Sequence, residues 1–195
     1  MDSLRSSTWL TRAWLGPVLL VISSCAGTRY ATPTDEQFRS FLSVPGNDSE
    51  YRGLVAFLRK EGVGDVVPVE HLLRQGTDWE KVHRTPFAIP PRELWNNAVQ
   101  TLLVLRDFVI PLVGPVEVVS GYRTVAYNSV AGGAKRSKHL EFSAVDLLPL
   151  RETNRADLHA KLKAMWKEKG PDDEIGLGLY DHLRFHIDTG GYRTW

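Results

Sequence analysis

The pattern of apolar and polar residues predicts helices in the first half of the chain and a mixture of helices and short strands in the second half. After the Pro90-Pro91 pair, apolar residues recur every three or four positions, which indicates a core helix that ends before Pro111. Residues 154–169 form a second amphipathic pattern, which Gly170-Pro171 is expected to terminate. Shorter helices are predicted at residues 34–42, 51–60 and 71–75.

Short runs of apolar and β-branched residues predict four strands, at residues 116–120, 143–148, 175–180 and 184–188. The second of these runs surrounds one acidic residue, Asp146, and reads as a buried strand. An isolated carboxylate in such a strand is strongly destabilising unless a cation or hydrogen-bond donors face it. In the last run, apolar and polar residues alternate, so that the polar side chains share one face: Arg184, His186 and Asp188.

Two histidines and this carboxylate suggest a metal site. His139 follows a glycine-rich segment, 127–134, that is expected to be a flexible loop, and it can fold back toward Asp146. Together with His186, these residues offer two imidazoles and one carboxylate, a set that suits tetrahedral zinc with the fourth position open for water. A structural ion pair is the alternative interpretation of the same spacing.

Arg123 lies just beyond the end of the strand predicted at residues 116–120. An arginine in this position beside a metal site can hold a carboxylate or polarise a carbonyl group. An ordinary surface ion pair is the alternative.

The first 25 residues have the features of an export signal. Arg5 and Arg12 precede an apolar run at residues 13–22, and small residues follow before Cys25. The segment Ile22-Ser23-Ser24-Cys25 resembles the lipobox of bacterial lipoproteins, in which the cysteine is lipidated. We therefore expect a lipoprotein of the cell envelope that faces the periplasm, in the outer membrane because Ala26 does not suggest retention in the inner membrane. An uncleaved signal anchor is the alternative.

The composition is that of a single globular domain. Residues 26–50 are polar and rich in proline and serine, so they are predicted to be a tether; a poorly ordered terminus is the alternative. Residues 51–195 are long enough to form one domain with a hydrophobic core. Cys25 is the single cysteine, so an intramolecular disulfide is excluded. The net charge of +1 gives no support for a nucleic-acid partner, and we expect a monomer.

Several short motifs stand in an order that resembles a known family. They are Ser120-Gly121-Tyr122-Arg123, Tyr127-Asn128, Gly132-Gly133, Ser137-x-His139, Ala144-x-Asp146, Gly176-x-Gly178-x-Tyr180 and His186-x-Asp188. Together they resemble the D-Ala-D-Ala carboxypeptidase and murein endopeptidase family of zinc peptidases, in its peptidase-like C-terminal domain branch, over residues 87–195.

The resemblance implies an α+β fold, with a small antiparallel sheet flanked by helices and a zinc site at one face of the sheet. It implies that zinc is held by His139, Asp146 and His186. It also implies that Arg123 acts at the substrate carbonyl and that Ser137 binds the substrate or supports a metal ligand.

The chain departs from the family pattern at two positions. Phe142 stands where the family usually has glycine, and its ring is expected to narrow the pocket. Leu183 stands where characterised members place a carboxylate that serves as general base. Asp181 is our slightly preferred substitute, and His182 could also reach in from the turn. Asp188 is the alternative base, or else orients a ligand histidine or pairs with Arg123.

The resemblance, together with the candidate metal ligands, thus implies a zinc-dependent peptidase that hydrolyses amide bonds of peptidoglycan stem peptides or cross-links. Its partners would be peptidoglycan peptides and, through a lipid anchor on Cys25, a membrane. The competing hypothesis is a non-catalytic lipoprotein that binds peptidoglycan and retains the peptidase fold.

Overall fold

The computed structural model describes residues 30–195, which form helices around one β-sheet. The α-helices are α1 (Asp35–Leu42), α2 (Asn47–Lys60), α3 (Val69–Leu72), α4 (Trp95–Val104), α5 (Ile110–Val113), α6 (Val125–Val130) and α7 (Arg155–Asp173). The strands are β1 (Val116–Ser120), β2 (Ala144–Pro149), β3 (Gly176–Leu179), β4 (Phe185–Asp188) and β5 (Arg193–Thr194). The 3₁₀ helices Arg92–Leu94 and Lys138–Glu141 and the π-helical segment Leu105–Val109 complete the set. The predicted signal peptide and Cys25 lie outside the described residues.

The strands form a single mixed sheet in the order β1-β2-β4-β3-β5. The first four strands in this order pair antiparallel, whereas β5 runs parallel to β3. The α+β class with flanking helices is therefore confirmed, and the prediction of a wholly antiparallel sheet is wrong. The reason is that β2 and β3 already occupy both edges of β4, so the chain turns after β4 and pairs with the free edge of β3.

One face of the sheet forms the hydrophobic core. Alternate residues of the central strands point into it and are fully or almost fully buried: Val145, Leu147, Leu177, Phe185 and Ile187. Helices α3, α4 and α7 cover this face by packing against β1, β2 and β3, respectively. The intervening residues of the same strands point to the opposite face, where the polar side chains collect.

Two predicted helix ends differ from the structure. The core helix continues past Pro111 to Val113. A π-helical segment ends at Val109, two residues before the proline, whose missing N–H interrupts the regular hydrogen-bond ladder. Helix α7 continues through Gly170-Pro171 to Asp173, because a proline near the last turn removes only one hydrogen bond. The predicted loop at 127–134 also begins inside α6, which is capped by the Thr124 hydroxyl accepting from the Tyr127 N–H at 3.1 Å.

Much of the predicted tether packs on the domain. Helix α1 begins with a capping box between Thr34 and Gln37, and its Phe38 and Phe41 rings lie 5.1 and 5.5 Å from the ring of Phe87. These contacts make residues 35–42 part of the folded body. None of the helices in residues 30–195 has the length and apolar character needed to cross a membrane.

The core predicts the effect of removing a side chain from its centre. Leu147 is fully buried on β2, so Leu147→Ala should lower the free energy of unfolding by about 2–5 kcal/mol, whereas the exposed neighbour in Leu150→Ala should change it by less than about 0.5 kcal/mol. Urea denaturation of both variants measures the difference. Equal losses would contradict this placement of the core.

Candidate metal centre

A row of residues crosses four neighbouring strands on the polar face of the sheet. Ser120 of β1 is paired with Asp146 of β2, Asp146 with His186 of β4, and His186 with Gly178 of β3. The register between β1 and β2 shifts after Val118, which brings Ser120 opposite Asp146. Residues far apart in the sequence are thereby aligned at one site.

The three candidate ligands lie together, as the sequence predicts. His186 Nδ1 lies 2.9 Å from Asp146 Oδ1, and His139 Nε2, from the 3₁₀ helix Lys138–Glu141, lies 3.5 Å from the same oxygen. One ligand atom from each residue falls within 4.8 Å of the others, and all three side chains are buried. The set offers three protein ligands, as catalytic zinc sites do.

Hydrogen bonds on the far side of each imidazole fix which nitrogen faces the cluster. His139 Nδ1 lies 2.7 Å from the carbonyl oxygen of Gly121, and because a carbonyl only accepts, Nδ1 donates and Nε2 keeps a free lone pair. His186 Nε2 lies 3.1 Å from Asp188 Oδ2, which leaves Nδ1 directed at Asp146. His139 Nε2 and Asp146 Oδ1 are both acceptors, so a cation, either a metal ion or the proton on His186 Nδ1, is needed where the three atoms converge. The residues therefore fit a metal ion.

The ionisation of the cluster matches this arrangement. Burial, assisted by the charge of Arg123, lowers the pKa of His139 to about 4, so this imidazole is neutral. Burial would raise the pKa of Asp146, but the two histidines hold it well below its usual range. Burial would also lower the pKa of His186, but the carboxylates of Asp146 and Asp188 outweigh it and raise the pKa. A proton and a metal ion therefore compete for His186 Nδ1.

Arg123 forms a partly buried ion pair with the candidate ligand carboxylate, in place of the alternative surface pair. Its Nη2 lies 2.8 Å from Asp146 Oδ2. Its Nε donates to the Gln75 carbonyl at 2.8 Å and to the Ser120 hydroxyl at 2.9 Å. Gln75, which sequence reasoning missed, also accepts from the Thr124 N–H through its side chain. The guanidinium is thus held rigidly at the site.

The carboxylate of Asp188 contacts Nε2 of His186, the ring nitrogen that faces away from Asp146. Besides the histidine, its carboxylate accepts from the Gly190 N–H at 2.8 Å and from Arg193 at 2.9 Å. Gly176 faces it across the strands, and a side chain on Gly176 would collide with the carboxylate. This placement fits the role of orienting a ligand histidine. The expected pairing of Asp188 with Arg123 is wrong, because Arg123 pairs with Asp146 and Asp188 pairs with Arg193.

The cluster opens into a cavity of about 360 Å³. Its lining residues are Arg123, Gly133, Ala134, Arg136, Ser137, Lys138, His139, Tyr180, His186, Arg193 and Trp195. Ser137, a predicted substrate-binding residue, therefore lies in the cavity wall. Within residues 30–195 the lining contains four Lys or Arg side chains and no Asp or Glu.

The structure does not bring Asp181 to this cavity. Its side chain is exposed and its backbone carbonyl accepts from Arg155 at 2.8 Å. It lines a separate cavity of about 570 Å³ together with His182 and Leu183. Neither Asp181 nor His182 lines the metal-site cavity, and Leu183, at the position where the resemblance implies a carboxylate, lines the separate cavity as well.

Phe142 does not narrow the pocket, which corrects that expectation. The residue is in the left-handed conformation, with φ at 55°, where it ends the 3₁₀ helix. This backbone explains why glycine is usual here, because glycine adopts positive φ most readily. The ring is buried in the core, with its centroid 6.0 Å from that of Tyr122.

Sequence analysis assigned no role to Tyr180 and Trp195, which line the cavity. Burial and the charge of Asp146 raise the pKa of Tyr180 to about 12, and its hydroxyl lies 3.5 Å from Asp146 Oδ1. The Trp195 ring lies 5.1 Å from that of His186, above Gly178. The motif Gly176-x-Gly178-x-Tyr180 was the available signal for Tyr180, since its spacing places the three residues on one side of an extended segment, whereas no motif pointed to Trp195.

Comparison with known proteins agrees with the geometry. The family model described as Peptidase M15 matches residues 69–188, which is more than half of the chain. No curated protein matches the chain in a sequence search. The matched residues contain all three candidate ligands and Arg123, so the family resemblance found in the sequence is confirmed: the chain belongs to the peptidase M15 family of zinc peptidases.

Proposed function

We propose that the protein is a zinc-dependent peptidase that hydrolyses amide bonds in the stem peptides or cross-links of peptidoglycan. The observation that carries the proposal is the convergence of His139 Nε2, His186 Nδ1 and Asp146 Oδ1, with both imidazoles fixed by hydrogen bonds on their far sides. These three atoms would hold the metal. When bound there, zinc polarises a carbonyl group and lowers the pKa of its water toward ~7.

Arg123 supplies a fixed positive charge to the reaction. Its guanidinium lines the cavity and is held by Gln75 and Ser120, so it does not need to reorganise when charge develops on the scissile carbonyl. Donors held in advance in this way stabilise the transition state more than the bound substrate.

The charge of the cavity favours an anionic peptide. Arg136 and Lys138 come from the segment that precedes His139, and Arg193 comes from β5. Among residues 30–195, Arg136 has no ion-pair partner, so its charge is available to a ligand. Stem peptides carry free carboxylates, which such a wall attracts. The half-exposed Trp195 ring offers an apolar surface for the rest of the chain.

A second candidate function is binding of peptidoglycan without turnover. It is favoured by one observation, the lack of an aspartate or glutamate among the cavity-lining residues of the described chain, with Leu183 at the family position of the base. A positioned general base contributes roughly 10²–10⁴-fold to a rate, so its absence would greatly lower the rate of hydrolysis.

Metal content and hydrolysis, measured together, separate the two functions. The purified full chain should hold about one zinc ion and cleave muropeptides in a reaction that a chelator stops, since three protein ligands form one site. His139→Ala should lose both properties. His83→Asn, which changes an exposed histidine outside the cluster, is the matched control and should keep both. Zinc binding with muropeptide binding but no cleavage would support the second candidate.

The two aspartates predicted as bases should behave differently. We propose that Asp188 orients His186, so Asp188→Asn should weaken zinc binding by about 10–100-fold. Asp181→Asn removes a carboxylate at the other cavity and should leave zinc affinity and turnover near those of the wild type. Zinc competition titrations and initial rates test both. A strong loss of turnover in Asp181→Asn at full zinc occupancy would restore it as the base.

We also propose that the protein is an envelope lipoprotein, anchored through Cys25 and facing the periplasm. The support is the lipobox-like segment Ile22-Ser23-Ser24-Cys25, which lies outside the described residues. Cys25→Ser should leave the protein in the soluble fraction or as an unprocessed precursor, because stable anchoring needs the acyl chains. Fractionation and labelling with a radioactive fatty acid measure this. Normal membrane association and processing of the variant would refute the anchor.

A further inference from the structure

We propose that Tyr180 is a catalytic residue: its phenol donates a hydrogen bond, alongside Arg123, to the oxyanion that develops on the scissile carbonyl. The proposal rests on the peptidase function proposed above. The phenol keeps its proton throughout, so it needs no partner for proton transfer.

The position of the hydroxyl is the first support. Tyr180 follows β3 directly and lines the cavity. Its hydroxyl lies 3.5 Å from Asp146 Oδ1, the same oxygen that lies 2.9 Å from His186 Nδ1 and 3.5 Å from His139 Nε2. The phenol is therefore directed at the point where the three candidate ligands converge.

The pairing with Arg123 is the second support. Arg123 reaches Asp146 Oδ2 at 2.8 Å, while Tyr180 reaches Oδ1, so two donors approach the carboxylate from different elements of the fold. Both side chains also line the cavity. A distance of 3.5 Å is long for an O–H···O hydrogen bond, so the phenol is poorly satisfied by Asp146 and available to a closer acceptor in the cavity.

The ring of Tyr180 is held in place. The guanidinium of Arg184 lies 4.3 Å from its ring centroid and also faces the ring of Tyr30 at 5.5 Å. The buried Nε of Arg184 has no hydrogen-bond partner among residues 30–195. Arg184 thus acts here as a cation resting on aromatic rings, which restrains the orientation of the phenol. A donor restrained in this way fits an oxyanion site better than a mobile surface tyrosine would.

The test compares Tyr180→Phe with Tyr192→Phe. The control also removes one hydroxyl, but Tyr192 stacks on Trp166 and does not line the cavity. Tyr180→Phe should lower kcat by about 10²-fold with little change in KM, as loss of an oxyanion donor does. Zinc affinity, measured by competition, should stay within about two-fold of the wild type, since the phenol is not a ligand.

Binding of a phosphinate peptide, whose tetrahedral oxygens mimic the transition state, gives a readout independent of turnover. Calorimetry should show weaker phosphinate binding to Tyr180→Phe by a factor similar to the loss in kcat, with unchanged binding by Tyr192→Phe. Combining Tyr180→Phe with Arg123→Ala should cost less than the product of the single losses, because both donors serve one oxygen.

Wild-type kcat and phosphinate affinity in Tyr180→Phe would overturn the proposal, and so would a fall in zinc affinity that accounts for the whole loss. A wild-type chain that cleaves no muropeptide would instead refute the peptidase function. The phosphinate measurement would still decide, in that case, whether Tyr180 recognises a tetrahedral oxyanion.

Discussion

The site depends on compensation of one buried charge, the carboxylate of Asp146 in a central strand. Only 2% of this residue is exposed, and an unpaired carboxylate at such a position would be strongly destabilising. Arg123 faces one of its oxygens and the two histidines face the other. Because Arg123 is itself held by the Gln75 carbonyl, the compensation joins segments that are distant in the sequence. The geometry of the candidate active site and the stability of the sheet therefore rest on the same contacts.

Glycine residues, which have no side chain, leave room for these contacts. Glycine weakens a strand, yet β3 carries Gly176 and Gly178, because the carboxylate of Asp188 and the ring of Trp195 occupy the space above them. Gly121 is a similar case. A side chain there would collide with the Leu72 backbone, and its carbonyl fixes the tautomer of His139. The close approach of backbone segments thus determines how the ligands are oriented.

Local spacing was enough to predict part of the site and of the fold. Alternation in β4 placed His186 and Asp188 on one face, and the apolar run around Asp146 identified a buried strand. The role of Gln75, the parallel pairing of β5 and the distance of Asp181 from the cavity depend on tertiary placement, which short-range patterns do not encode. Likewise, Gly170-Pro171 is locally typical of a helix end, but α7 continues to Asp173, and the Tyr192 ring occupies the space beside Gly170.

The second buried carboxylate, that of Asp188, favours the interpretation that the protein binds a metal ion over the interpretation that it only retains the fold. Asp188 is fully buried and is held by the Gly190 N–H and by Arg193. Burying an ionised group is often no more favourable than an apolar replacement of similar volume, so structure alone gives weak reason to keep it. Its contact with His186 Nε2 leaves Nδ1 directed at Asp146 and the metal position, which is how carboxylates behind ligand histidines act in metal sites. A purely structural sheet would need neither this carboxylate nor the glycine that makes room for it.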